Sequence, residues 1–197
     1  MPSPDPIITP QDWTQPLCPA LLFPSPANPL AVDVGCGKGR YLLARALRCP
    51  EMNFLGIDRM GSRMHKLSRK LVRADLHHVR LAHVEAAYAV QQLLAPDSVA
   101  LFTIFFPDPW PKRRHHRRRL LCPAFLDDLV IALQQGGHLH VATDHLEYFD
   151  AIAALLATDE RFRSIAPYTP PPEEMTDFEV IFTGQGKPIG RASFEKL

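Results

Sequence analysis

From Leu30 onward the chain alternates short apolar runs with amphipathic segments, and this alternation restricts the fold more than any other feature of its 197 residues. LAVDVG (30–35) is followed by the helix-period segment RYLLARAL (40–47), which stops before Pro50. NFLGID (53–58) precedes SRMHKLSRKLVRA (62–74), where Ser62 is placed to cap a helix with Met64, Leu67, Leu71 and Val72 on its apolar face. VRLAH (79–83) leads into AAYAVQQLL (86–94), and SVALFTIFF (98–106), apolar almost throughout, reads as a central strand. Pro123 opens the helix AFLDDLVIALQQ, which ends at Gly136-Gly137, and HLHVATD (138–144) with HLEYFDAIAALLATD (145–159) repeats the pattern. After prolines 170–172, FEVIFTG and PIGRASFEK suggest a closing hairpin or antiparallel pair. Strand and helix alternating five times predict an α/β fold, a doubly wound, mainly parallel sheet with a C-terminal antiparallel strand or hairpin.

Nine of the 20 prolines fall in residues 1–29, a stretch that therefore cannot hold long helices or central strands. The expected organisation is a proline-rich arm over 1–29 and one domain over 30–197. A hydrophobic content of 46% excludes disorder throughout, and no apolar run approaches the ~20 residues of a membrane span. The opening MPSPDPIITPQDW has neither the basic nor the apolar segment of a secretory signal. Four cysteines without a CxxC pair argue against a disulfide or zinc framework. These features predict a soluble, cytoplasmic protein with reduced thiols and no metal.

Chemistry concentrates after two of the strands. Asp33-Val-Gly35-Cys-Gly37-Lys-Gly39 places glycines at a strand-to-helix turn, where backbone can approach a ligand that a Cβ would push away. The dinucleotide fingerprint would require a glycine at position 40, which is Arg40. Asp58 ends the second strand, 19 residues past Gly39, where a carboxylate accepts the ribose hydroxyls of a nucleoside ligand. GxGxG between two acidic strand ends resembles class I S-adenosylmethionine-dependent methyltransferases more than nicotinamide enzymes; the competing reading is a glycine-rich turn without a ligand. Phe106-Pro-Asp108-Pro-Trp110-Pro-Lys112 follows the central strand, and the strand order should switch between the first and fourth strands. Its three prolines predict a stiff, extended loop that aims Asp108 and Trp110 at the cleft mouth.

The formal charge is +1, yet KRRHHRRR (112–119) holds six of the 22 Lys and Arg, which leaves −5 on the rest of the chain. One positive patch on a mildly acidic body points to a polyanion met at one place, with Lys112, Arg113, Arg114 and their neighbours neutralising RNA phosphates. His115 and His116 are expected in solvent or against phosphate.

FPDPWPKRRHHRRRL looks like the signature of bacterial tRNA (guanine-N7)-methyltransferases, a Rossmann-like methyltransferase family. The similarity covers about 30–197, with Asp33 to Gly39 as the cofactor loop, Glu85-Ala86 after the third strand, Ala142-Thr-Asp144, Thr176-Asp-Phe-Glu179 and Gly186-Lys-Pro-Ile189 following in order. The resemblance implies that Asp33, Gly35, Gly37, Asp58, Glu85 and Asp108 contact S-adenosyl-L-methionine or line its pocket. It also implies that Lys112, Asp144, Thr176 and Glu179 face the RNA, and that the target is a variable-loop guanine of tRNA, position 46 in the family. The family contains monomers and homodimers.

The neutral purine already carries a lone pair on N7, so positioning can supply most of the catalysis. Asp108 has two roles open to it, offsetting positive charge on the purine or accepting hydrogen bonds from the base. Trp110 can stack on the base or pack inward. N7 lies on an edge that A-form RNA hides in its deep groove, so the target must lie outside a regular helix or be extruded. The alternatives are a non-catalytic RNA-binding protein on a methyltransferase fold and an enzyme acting on another RNA.

Overall fold

The computed structural model describes residues 5–197, and the first four residues of the proline-rich arm lie outside it. Strands β1 (Leu30–Val34), β2 (Asn53–Asp58), β3 (Val79–His83), β4 (Val99–Phe105), β5 (Leu133–Thr143), β6 (Phe162–Ile165) and β7 (Gly190–Lys196) form one sheet in the order β3-β2-β1-β4-β5-β7-β6. β1 to β5 run parallel, and β7 is antiparallel to both β5 and β6. The order reverses between β1 and β4, so the crevice of a doubly wound sheet opens above those two strands.

Both faces are covered, which is why the strands are apolar almost without interruption. α2 (Arg40–Arg48) and α3 (Gly61–Arg73) cover one face, with Leu42, Ala46, Met64, Leu67 and Leu71 against Ala31, Phe54 and Leu101. The other face holds α4 (Ala86–Tyr88), α5 (Pro123–Ala132) and α6 (Leu146–Ala157), with Phe125, Leu129 and Ile152 in one cluster with Val32, Phe102 and Val141. The arm lies along this body. At the free edge of β3 the arm's Ile8 N–H donates to the Leu81 carbonyl and Leu81 N–H donates to the Pro6 carbonyl, Leu17 N–H reaches the Leu93 carbonyl, and a single turn, α1 (Pro19–Leu22), precedes β1.

Four local expectations are corrected. Ser62 does not cap α3; Met60 occupies that position, its N–H taken by Asp58 Oδ1 at 2.7 Å. Residues 86–94 do not form one α-helix: α4 passes after a turn into π-helical Ala89–Leu93, which turns Ala89, Val90 and Leu93 into the core. α5 ends at Ala132, because Leu133 pairs with Val99 and the ladder claims the residues up to Gly137 across a register shift. FEVIFTG is not a strand. It belongs to α7 (Asp177–Gly184), where Thr176 accepts the Glu179 N–H and Asp177 and Glu179 sit at the positive end of the helix. The antiparallel partners of β7 are β5 and the short β6.

Candidate active site

The carboxyl ends of β1, β2 and β4 lie side by side, and each delivers one acid. Asp33 is buried on β1 and accepts a 2.9 Å hydrogen bond from the Thr103 hydroxyl of β4. Burial pushes its carboxyl up to about 7, Thr103 opposes the shift, and the charge of Asp58 adds to it. Thr103 is the one polar side chain in VALFTIF, a sequence signal that marks it in retrospect.

The turn between β1 and α2 needs glycine for two different reasons. Gly35, Gly37 and Gly39 all have left-handed φ, at 80°, 57° and 71°. A Cβ on Gly39 would stand 2.3 Å from Leu67 of α3, whereas one on Gly35 would meet nothing within 4 Å. Gly39 therefore seats the turn on the helix layer, and Gly35 leaves open space where a ligand can approach. Asp58 ties the turn down: Oδ2 accepts Gly37 N–H at 2.9 Å while Oδ1 holds Met60 N–H. Each of these oxygens retains a lone pair for a further donor. Glu85 is exposed and caps α4, accepting Tyr88 N–H at 3.0 Å.

Asp108 stands at the end of the loop leaving β4, with its side chain 70% exposed. Arg59, directly after Asp58, reaches it at 3.5 Å. That contact joins the loop after β2 to the loop after β4, so the glycine turn and the basic segment share one rim.

The loop is bent rather than extended. Phe106 and Trp110 both take left-handed φ, at 53° and 43°, so Pro111 excludes the right-handed helical region for Trp110 without forcing it straight. Lys112 then caps a 3₁₀-helix, Arg113–Arg118. Trp110 packs on this helix, with the Arg118 guanidinium 5.0 Å above its ring and His115 edge-on at 5.9 Å.

Lys112, Arg113, Arg114, Arg117 and Arg118 are exposed, but Arg119 is not part of that surface. It is buried over the Tyr148 ring, donates to the Pro109 carbonyl at 2.9 Å and forks onto Glu147 at 2.5 and 3.2 Å. His116 and His115 are half-buried, the former between Arg119 and Glu147, so neither stands fully in solvent.

α7 closes the rim on the far side. Glu174, fully buried, receives the Tyr168 hydroxyl at 2.5 Å and faces Arg45 and Arg48 of α2, and Arg40 donates to the Met175 carbonyl. Thr176 is thereby carried next to the start of α2, where it caps α7. Glu179 is buried in an ion pair with Arg191 of β7, so its carboxylate is not on the open surface. Asp144, at the end of β5, lies 3.5 Å from Lys187, whose ammonium sits 4.2 Å over Phe182. Phe178 and Phe182 of α7 meet Phe106, so this helix leans on the same loop that carries Asp108.

The structure thus brings Asp33, Gly35, Gly37, Asp58 and Asp108 to the carboxyl ends of three adjacent strands, and Lys112, Arg113 and Arg114 are exposed on the segment that follows Asp108. Arg59, Thr103 and Arg119 were missed as site-forming residues, and only Thr103 leaves a sequence signal. Among the described residues no cluster of three or more His, Cys, Asp or Glu side chains is placed to hold a metal ion, and no helix is long and apolar enough to cross a membrane. The four cysteines are free thiols.

Comparison with known proteins gives one direction. A family model described as a putative methyltransferase matches residues 27–192. A tRNA (guanine-N(7)-)-methyltransferase of Halorhodospira halophila is 39% identical over 159 residues, covering 78% of this chain and 68% of that protein. The protein of that name from Treponema pallidum is 36% identical over 193 residues, covering 92% and 77%. The match to the one from Nocardia farcinica, 37% identical, takes in 71% of this chain and spans 57% of that relative's length. Among solved structures, an rRNA methylase from Streptococcus thermophilus superposes with a TM-score of 0.57 at 16% identity, covering 91% and 92%, which shows a shared fold. A putative methyltransferase from Streptococcus mutans, solved in complex with SAH, gives 0.57 at 16% identity, covering 86% and 89%.

Proposed function

Since the chain belongs to the tRNA (guanine-N7)-methyltransferase family, we propose that it transfers the methyl group of S-adenosylmethionine to N7 of a tRNA guanine, at position 46 of the variable loop. The observation that carries this reading is the Arg59–Asp108 contact, which makes the glycine turn and the basic segment two sides of one opening. We place the activity in the cytoplasm, where tRNA is met, in a monomer or homodimer working without a metal.

The crevice suits a nucleoside-bearing cation. Space is open above Gly35, Asp33 offers a buried carboxyl, and Asp58 keeps acceptor capacity beside Gly37. Asp33 would hold the ammonium of the cofactor, Gly35 and Gly37 would let backbone approach it, Asp58 would accept the ribose hydroxyls, and Glu85 would face the adenine. S-adenosylmethionine supplies a methyl group on a sulfonium centre. For the rest, this chain needs to hold and orient. N7 of neutral guanine has its lone pair available, so no side chain has to remove a proton from it. Asp108 is the exposed carboxylate at the mouth, held only by the long contact to Arg59, and acts on the base, as a hydrogen-bond acceptor or as a counter-charge while positive charge grows on the purine.

Lys112, Arg113 and Arg114 take the RNA phosphates. Asp144 lines the base side of the rim with its partner Lys187, and Thr176 and Glu179 contribute by fixing α7 over the opening. Trp110, clasped by Arg118 and His115, serves to hold the basic helix in place.

The test is methylation of bulk tRNA by the purified protein, followed by borohydride–aniline cleavage, which cuts at 7-methylguanosine. A single new cut in the variable loop is expected. A methylated product that resists cleavage would assign the enzyme to another atom or another RNA, and no product together with no heat on titration with S-adenosylmethionine would leave a binding module.

A further inference from the structure

The expectation of one positive patch on an otherwise acidic body fails once the chain is folded. α3 carries Arg63, Lys66, Arg69, Lys70 and Arg73 and neither Asp nor Glu. At about 100° per residue, these five side chains share an arc of roughly 120°. Met64, Leu67 and Leu71 point the other way and are fully buried. Lys66, Arg69, Lys70 and Arg73 are exposed and Arg63 is half-exposed. None of the five takes part in an ion pair among the described residues.

Lys70 and Arg73 lie in the last turn and suit the helix dipole, but the rest of the stripe works against its own helix. Lys66 with Lys70 and Arg69 with Arg73 are like charges at i, i+4, and Arg63 sits in the first turn, at the positive end of the helix dipole. Five cations on one surface arc with no ion pair among the described residues suit an anion from outside the chain.

Their position says which anion. α3 starts three residues after Asp58, Leu67 packs beneath Gly39, and Lys70 Nζ donates to the Lys38 carbonyl of the glycine turn at 3.3 Å. Between them Arg59 reaches Asp108. The stripe therefore extends the cationic rim away from Lys112–Arg118, past the crevice, for about 15 Å along α3.

We propose that α3 is a second backbone-binding surface for the tRNA whose guanine enters the crevice, engaging phosphates on the opposite side from the 3₁₀-helix. The inference rests on the tRNA reading and adds to it where the RNA runs. An anionic membrane suits the stripe less well, because surface-bound helices insert an apolar face and that of α3 is spent on the protein core.

The experiment replaces all five residues by Gln, which keeps helix propensity, and measures filter binding of bulk tRNA between about 50 and 200 mM salt, tRNA KM and kcat, and calorimetric binding of S-adenosylmethionine. The variant should bind tRNA at least about tenfold more weakly near 150 mM salt, with a log–log salt slope shallower by roughly 2 or more. The loss should fall on KM rather than kcat, and cofactor affinity should hold. Should the fivefold variant not fold, Lys66→Gln with Lys70→Gln is read the same way, with a slope change of roughly 1–2.

Unchanged tRNA affinity and slope overturn the proposal, as does wild-type binding of phosphatidylserine vesicles that the variant loses while its tRNA affinity stands. Wild-type N7 methylation with unaltered tRNA binding by the variant would sink the stripe alone. Weakened tRNA binding by the variant of a protein that methylates no tRNA would sink the enzymatic reading and keep the stripe.

Discussion

Asp58 and Asp108 end strands β2 and β4 at the same sheet edge, and the structure treats them in opposite ways. Asp58 is 8% exposed, with both oxygens engaged by backbone N–H groups of the turns it braces. Asp108 has a 70% exposed side chain and one long contact, to Arg59. The half of the crevice proposed for the cofactor is ordered by its own hydrogen bonds, because its polar groups satisfy one another inside the fold. The half proposed for the substrate is aimed outward, and its exposed acid, Asp108, has only the long contact to Arg59. Its loop is held from behind by Arg119 on Pro109 and Glu147, while its front faces solvent. On the proposed reading a small cofactor would meet a rigid cradle, and a large polyanion would meet charges fixed at their base and free at their tips.

The contrast can be broken most severely at Asp108. Asp108→Ala should lower kcat/KM by roughly 100- to 1,000-fold, about 3–4 kcal/mol of transition-state stabilisation. Because the side chain is exposed, the melting temperature should stay within about 2 °C. Near-normal turnover would remove Asp108 from the chemistry.

The reverse pattern is expected at Gly39. Gly39→Ala forces a Cβ to 2.3 Å from Leu67 at a φ of 71° and should cost about 2–3 kcal/mol of stability, roughly 5–10 °C in a thermal melt. A variant as stable as the wild type would show that the turn is not seated as described.

Asp33 gives a pH signature. With its carboxyl pushed up to about 7 by burial, an ammonium ligand must displace a proton below that pH. Calorimetry should show S-adenosylmethionine affinity falling about tenfold per unit below pH 7 and levelling above it. Asp33→Asn should bind weakly with a flat profile. The same raised value works against the empty fold as pH rises: this residue's contribution to stability is full below about pH 4 and declines up to about 7. A wild-type affinity independent of pH between 6 and 8 would contradict the burial argument.

The smallest effect belongs to Arg59. Its ion pair is exposed and long, so Arg59→Ala should change stability by less than about 1 kcal/mol and tRNA KM by no more than about threefold. A large loss would mean that Arg59 itself touches substrate.

Much of this was legible beforehand because it depends on local chemistry. Unbroken apolar runs require a sheet covered on both sides, and glycine between two acidic strand ends points to a turn that backbone can bring close to a ligand. The errors fell where neighbours overrode local preference. FEVIFTG looks extended from its β-branched and aromatic residues, yet the Thr176 cap starts a helix, and β7 already fills the slot beside β5. Ser62 has capping chemistry, but Asp58 reaches the Met60 N–H first. Residues 112–119 read as one charged block, and only packing on Tyr148 and Glu147 separates the buried Arg119 from the five cations left outside.

By itself the sequence determined the layered architecture, the switch between β1 and β4, and the residue types at each strand end, since these follow from periodicity and backbone permissiveness. Only the tertiary structure decided which charges are spent inside the fold and which remain to bind. Whether an arginine meets a carboxylate or open water depends on residues far away in the chain: Glu147 lies 28 positions from Arg119, and Arg59 lies 49 from Asp108. Electrostatic pairing is set by distance in space, and no local pattern encodes it.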